Sequence, residues 1–288
     1  MTLDPPVRTL LAPNPSPLTG AGTNTWLVGA TALAVIDPGP DDPAHLAAIL
    51  DAVLPGQQIS HILVTHAHRD HSALAPRLSA ATGAPVLAYG RATDGRSPLM
   101  ASLAPGLPAT GEGLDRGFTP DQRLADGDML SGPDWSLSAL HTPGHLGGHI
   151  CLALGDTLFS GDHVMGWATS IVSPPDGDMG AYMASLHRLA ARDWHRFLPG
   201  HGAPVETPAA RVQELITHRL GREAQILGAL AEGPASIPAL TARIYTDIPQ
   251  HLLPAAERNV FAHLLDLASR NLVKADPAPH PAATFSAL

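Results

Sequence analysis

The chain has 288 residues, a hydrophobic content of 44% and a formal net charge of −9. This length fits one large domain, or a domain with a small appendage, around an ordinary core. The acidic balance argues against a broad nucleic-acid-binding face, and no run of about 18 apolar residues offers a transmembrane helix. Met1-Thr2-Leu3-Asp4-Pro5-Pro6 lacks the basic and apolar regions of a secretory signal. The lone Cys151 can form no internal disulfide, and both features predict a cytoplasmic protein with no membrane attachment. Cys151 lies in an apolar run and reads as a small buried hydrophobe.

Residues 1–22 are proline-rich and predict an edge strand and a loop. Asn24–Val28 and Ala32–Ile36 predict two strands joined at Gly29, the second stopped by Asp37-Pro38-Gly39-Pro40. Asp42-Pro43 predicts a capped helix start, with the helix running to about Leu54. The apolar run 61–64 reads as a buried strand. A helix is expected from Ser72 to Ala81, closed by Gly83, and a short strand over Pro85–Ala88. Residues 91–120 predict a long loop, either a substrate-facing lid or disorder. Trp135–Leu140 alternates as a half-buried strand, and runs 149–154 and 157–160 flank the hairpin signal Gly155-Asp156. Met179–Trp194 predicts an amphipathic helix with Tyr182, Met183, Leu186, Leu189 and Ala190 on one face.

Beyond Pro208 the pattern becomes helical: Val212–Leu230, Pro238–Tyr245 and Ala255–Ser269. We read residues 1–207 as a catalytic domain and 208–288 as a small helical module of winged-helix-like order, with a frayed tail after Asp276. The alternating strands and helices suggest a two-sheet sandwich faced by helices, an α/β (α+β) architecture.

His66-Ala67-His68-Arg69-Asp70-His71 places four metal-ligand side chains in six residues, directly after a buried strand. Three further motifs follow strands in the same way: Thr142-Pro143-Gly144-His145 continuing to His149, Ser160-Gly161-Asp162, and Pro199-Gly200-His201-Gly202. Gly144 lets the backbone turn so that His145 points inward. The candidate ligands are thus five histidines and two aspartates. Two ions need about six to eight protein ligands if each keeps an open position, so the count fits a pair bridged by one carboxylate. Imidazole favours zinc, and carboxylates also admit iron or manganese.

THxHxDH, TPGHxxGH, SGD and PGHG in this order resemble the metallo-β-lactamase superfamily over roughly residues 20–207. The resemblance implies an αββα sandwich and a binuclear hydrolase. It implies that His66, His68 and His145 hold one ion, that Asp70, His71 and His201 hold the other, and that Asp162 bridges them. His71 and Asp162 point away from true β-lactamases, which generally lack both. Ser72-Ala73-Leu74 departs from the glycine pair usual in the glyoxalase II group. The helical C-terminus with Arg258-Asn259-Val260 is similar to the lactamase-beta-2-like branch, which includes an endoribonuclease for single-stranded RNA. A small-molecule or single-stranded nucleic-acid substrate is therefore expected.

The expected chemistry is attack by a metal-bridged hydroxide on an ester or phosphodiester, with Asp70 as a catalytic orienting group. A hydroxyacylglutathione-type thioesterase is the alternative. A lactonase or a β-lactamase fits less well, and so does a di-iron redox enzyme, which normally needs a flavin domain that does not fit after residue 207. His149 reads as a strand-anchoring hydrogen bonder, His163 as pointing away from the site, and Asp37 as either a turn residue or a partner of a ligand histidine. His45, His61, His187, His195, His218, His251, His263 and His280 read as surface or capping residues. The arginines of 209–274 are interleaved with acids, so no duplex nucleic-acid binding is expected. The module is read as one wall of the substrate cleft or as a plain structural cap.

Overall fold

In this computed structural model residues 5–107 and 113–288 are described. The first sheet holds β1 (Val7–Leu11), β2 (Asn24–Val28), β3 (Ala32–Ile36), β4 (Gln58–Leu63), β5 (Val86–Ala88) and β6 (Gln122–Arg123) in sequence order. The second holds β7 (Met129–Ser131), β8 (Ser136–His141), β9 (Ile150–Leu154), β10 (Thr157–Gly161) and β11 (Arg196–Pro199), in the order β11-β10-β9-β8-β7. Their facing sides interdigitate through Trp26, Ile36, Leu63, Leu137, Ile150, Phe159 and Leu198. β3, continuously apolar in sequence, and β2 are buried on both sides, as strands between a helix layer and a second sheet must be.

On the outer face of the first sheet lie α1 (Pro43–Asp51), the short α2 (Arg69–Ser72) and α3 (Ala75–Thr82), with Ile49, Leu74 and Leu78 packed on Leu33, Ile62 and Val86. Asp42 caps α1 by accepting from the His45 N–H, as its sequence predicts. The helix ends at Asp51, not near Leu54. The helix expected over 72–81 is two helices, because the histidine loop coils into α2 before α3 begins. Within the expected loop 91–120 there is α4 (Pro98–Leu103), capped by Ser97; the rest of that loop includes 108–112, which lie outside the described residues.

The second sheet is covered by α5 (Met179–Ala190) and the first half of α6 (Pro208–Ala231). α5 stops four residues short of Trp194, and Ala190 is exposed instead of facing the core. α6 belongs to two cores. Its Val212, Leu215 and Ile216 pack with α5, whereas Ile226 and Leu230 pack with α7 (Ile237–Ile244) and α8 (Leu253–Ser269). The tail after Asp276 is ordered. β12 (Ala235–Ser236), β13 (Val273–Asp276) and β14 (Thr284–Ala287) form a small sheet in which Phe285 is fully buried, so apolar burial outweighs the prolines that suggested fraying. The result is an αββα sandwich with a C-terminal winged helix. Among the described residues no helix is long and apolar enough to cross a membrane.

Candidate metal centre

The parallel pairs β3/β4 and β10/β11 end at the same edge of the sandwich. The loops leaving those ends carry Asp37, His66–His71, Asp162 and His201, while His145 arrives from the loop between β8 and β9. Asn24 ties the two sheets together there, donating its Nδ2 to the carbonyls of Pro199 (3.0 Å) and Gly202 (2.8 Å). Glycine is required at positions 144 and 200 on steric grounds. A Cβ on Gly144, whose φ is +149°, would lie 2.4 Å from the Tyr182 Cα. A Cβ on Gly200 would lie 2.6 Å from the His71 ring and 2.7 Å from Asp162 Oδ1.

All seven residues singled out in the sequence converge. His68 Nδ1 lies 3.0 Å from both His66 Nε2 and His145 Nε2. Ligand atoms on a tetrahedral zinc are about 3.3 Å apart at ordinary Zn–N lengths. On the other side His201 Nε2 lies 3.2 Å from Asp70 Oδ2, and His71 Nε2 lies 3.6 Å from the same oxygen. The Asp162 carboxylate lies between the trios: Oδ2 is 3.9 Å from His66, 3.8 Å from His145 and 3.4 Å from His201, and Oδ1 is 3.4 Å from His71. The clusters His66/His68/His145, His66/His71/Asp162 and Asp70/His71/His201 each have the spacing of a metal-binding group.

The first trio and the two carboxylates have the protonation pattern a cation requires, whereas His71 and His201 must give up protons to ligate one. Burial, reinforced by His145, pushes His68 down to about 3, and burial also holds His66 well below the usual imidazole range. Against its burial, His71 and His201 hold the Asp70 carboxyl down to about 2, and Asp162 is likewise held low. Burial acts oppositely on His201, yet Asp162 and Asp70 raise it to about 10. The two carboxylates thus draw positive charge into the second trio. His71 Nε2 and Asp162 Oδ1 are buried with no hydrogen-bond partner, so the geometry and chemistry of the set fit divalent metal.

Each of four histidines is oriented by a bond to its other ring nitrogen. His71 Nδ1 meets Asp37 Oδ2 at 2.9 Å, His66 Nδ1 meets Thr65 Oγ1 at 3.0 Å, His145 Nδ1 meets the Ile171 carbonyl at 2.7 Å, and His201 Nδ1 meets the Gly22 carbonyl at 3.1 Å. Asp37 also accepts from the Thr65 hydroxyl and N–H while holding φ at +51°, so it is both turn residue and ligand support. The supporting roles of Asn24 and of the carbonyls of Gly22 and Ile171 carried no sequence signal. Thr65 precedes the first ligand and could have been suspected; a carbonyl's partner depends on tertiary structure alone.

His149 is outside every trio. Its Nδ1 lies 2.9 Å from Thr142 Oγ1, anchoring the turn before His145. His163 points away, its ring 4.7 Å from that of Tyr182. His187 is exposed as expected. His45 and His263 are not surface residues: both are 2% exposed, His45 Nε2 lying 2.9 Å from Thr25 Oγ1. Cys151 is fully buried, and burial pushes its thiol up to about 12.

The trios open into one cleft of about 400 Å³. His68, Asp70, His145, Asp162 and His201 line its floor, and residues of α6, α8 and the loop after α7 form its far wall.

Residues 18–201 match the metallo-beta-lactamase superfamily, and residues 236–284 match the beta-lactamase associated winged helix domain. The chain belongs to the metallo-beta-lactamase superfamily, whose members are generally hydrolases and normally bind divalent metals. It is 33% identical over 270 residues to a beta-lactamase-like protein 2 homolog of Drosophila melanogaster, covering 90% of this chain and 86% of that one. A lactamase-like protein of Aspergillus niger is 31% identical over 237 residues, or 81% of this chain and 66% of that protein. The crystal structure of a beta-lactamase domain protein from Burkholderia ambifaria superposes with a TM-score of 0.80 at 24% identity, over 98% of this chain and 91% of that one.

Proposed function

We propose that this chain is a binuclear metal-dependent hydrolase acting on an ester, thioester or phosphodiester bond, with residues 1–207 as the catalytic domain. The observation that carries the reading is the Asp162 carboxylate between two ligand trios. His66, His68 and His145 would hold one ion, Asp70, His71 and His201 the other, and Asp162 both. Five imidazoles favour zinc, and the carboxylates leave iron and manganese as alternatives. When bound, such a pair supplies Lewis acidity and acidifies water towards neutrality.

The remaining work falls to the chain. The bonds from Asp37, Thr65, Ile171 and Gly22 fix the ligand histidines' tautomers and ring planes. Asp70 retains 28% side-chain exposure and lines the cleft, so its carboxylate can accept a hydrogen bond from water and orient it towards the substrate. Metal analysis and a substrate panel test the reading. About two ions per chain are expected, with turnover of at least one of a thioester, a lactone, a carboxylic ester, a phosphodiester and single-stranded RNA. Metal content that stays near zero after reconstitution overturns it.

A further inference from the structure

The far end of the cleft is cationic in a chain whose net charge is −9. His218, Arg219 and Arg222 all line it from α6. Three residues of helix separate the two arginines, a rise of about 4.5 Å that places them on neighbouring turns of one face. Among the described residues neither guanidinium has a carboxylate within ion-pair distance, whereas the acids of the same helix are taken by other arginines: Glu214 pairs with Arg211, and Glu223 with Arg270 at the end of α8.

Arg219 is 2% exposed; its terminal nitrogens donate to the neutral Ser170 carbonyl and Asn259, and its Nε has no hydrogen-bond partner. A buried guanidinium without a counter-charge is costly unless an anion compensates it. Arg222 is half-buried and rests 4.2 Å over the Tyr245 ring, which also lines the cleft. The field is strong enough to be felt by neighbours: beyond burial, Arg219 and Arg222 push His218 and His263 further below the usual imidazole range.

Much of the remaining lining of the cleft is apolar: Leu18, Met165, Trp167, Ile171, Ile248 and Leu252. A polynucleotide needs a track of cations along its backbone. Among the described residues the arginines that line this cleft are two, both on one face of α6.

Resting on the hydrolase reading above, we infer that the cleft takes a small amphiphilic ester or thioester. Its apolar segment lies along the wall, and it carries one anionic group, a carboxylate or phosphate, several bonds from the scissile carbonyl and held by Arg222 in the field of Arg219. Water adds across the acyl C–O or C–S bond. The products are the carboxylic acid and the alcohol or thiol, and the remote anion is unchanged.

Matched esters test this on the full-length, metal-reconstituted protein. The 4-nitrophenyl half-ester of adipic acid and 4-nitrophenyl hexanoate have the same chain length and differ in the terminal carboxylate. We expect a kcat/KM ratio, half-ester over hexanoate, above about ten, carried mainly by KM. It should collapse towards one in Arg222→Met and be partly retained in Arg222→Lys. The ratio cancels any general loss from misfolding.

Calorimetric titration with adipate and hexanoate is the second readout. If neither ester is turned over but adipate binds more tightly than hexanoate and depends on Arg222, the anion site stands and the hydrolase reading fails. If both esters are turned over at a ratio near one, the anion site is overturned while the hydrolase reading stands. Arg222-dependent binding of an oligouridylate, with no preference for adipate over hexanoate, overturns it in favour of a polyanion.

Discussion

The Arg219 guanidinium donates to the Ser170 carbonyl, joining α6 to the loop behind the candidate metal ligands. Ser170 donates its hydroxyl to the backbone carbonyls of Asp162 and His163. One residue on, the Ile171 carbonyl orients His145, and the Val172 N–H donates to Asn259 of α8. Arg219 itself donates to Asn259. Residues 170–172 therefore carry the grip of two C-terminal helices to both ligand trios.

Arg219→Met should weaken metal binding by about tenfold or more, the scale on which residues that orient ligands act. It should also destabilise the fold by roughly 1–3 kcal/mol, since the buried Ser170 carbonyl loses its donor. Chelator competition and thermal melts separate the two. A lower melting temperature with unchanged metal affinity would limit Arg219 to holding the domains together.

Asp162→Asn keeps the shape of the side chain and removes its charge from between the trios. Its oxygens lie within 3.9 Å of four candidate ligand nitrogens, so both sites should suffer. We expect the second ion to be lost first and turnover to fall by about 100-fold or more, beyond the effect of a residue that only orients ligands. Metal stoichiometry and steady-state rates check this, and an unchanged stoichiometry would place Asp162 outside the ligand set.

His68→Ala and His145→Ala each remove one of three nitrogens that meet at 3.0 Å. Both variants should lose at least one ion and nearly all activity. His187→Ala removes an exposed ring on α5 and should leave both within twofold of the parent. Equal losses in all three variants would point to general instability.

The contrast between residues that converge as expected and residues misread has a physical origin. His66, His68, Asp70, His71, His145, Asp162 and His201 were legible because each follows a strand in a short motif, and the fold brings strand ends to one edge. β2, β3, β9 and β10 were legible from apolar runs and turn residues. Their neighbours depend on long-range contact. His263 is polar in sequence, but it is buried on α8 beside α6. β14 has no strong strand pattern and forms because Phe285 reaches the C-terminal core. The cation cluster of α6 was read as arginines interleaved with acids. Only the structure shows that Arg211 and Arg270 use those acids while Arg219 and Arg222 face the cleft without them.

His263 gives the winged helix an acid-sensitive element. Burial, and then the charge of Arg219, lower its pKa to about 3 from an ordinary 6.5. Both ring nitrogens lack partners, so protonation would place an unpaired charge beside a guanidinium. Because the folded-state pKa is depressed, the unfolded chain binds the proton first as pH falls. The stabilising contribution is therefore full above about 6.5 and is lost progressively between pH 6.5 and 3. The residue is buried, so this window is set by the interior and salt should move it little. His263→Leu, close in volume and unable to titrate, should flatten the fall in melting temperature between pH 7 and 4. A melting profile as steep as that of the parent chain would show that other groups govern its acid sensitivity.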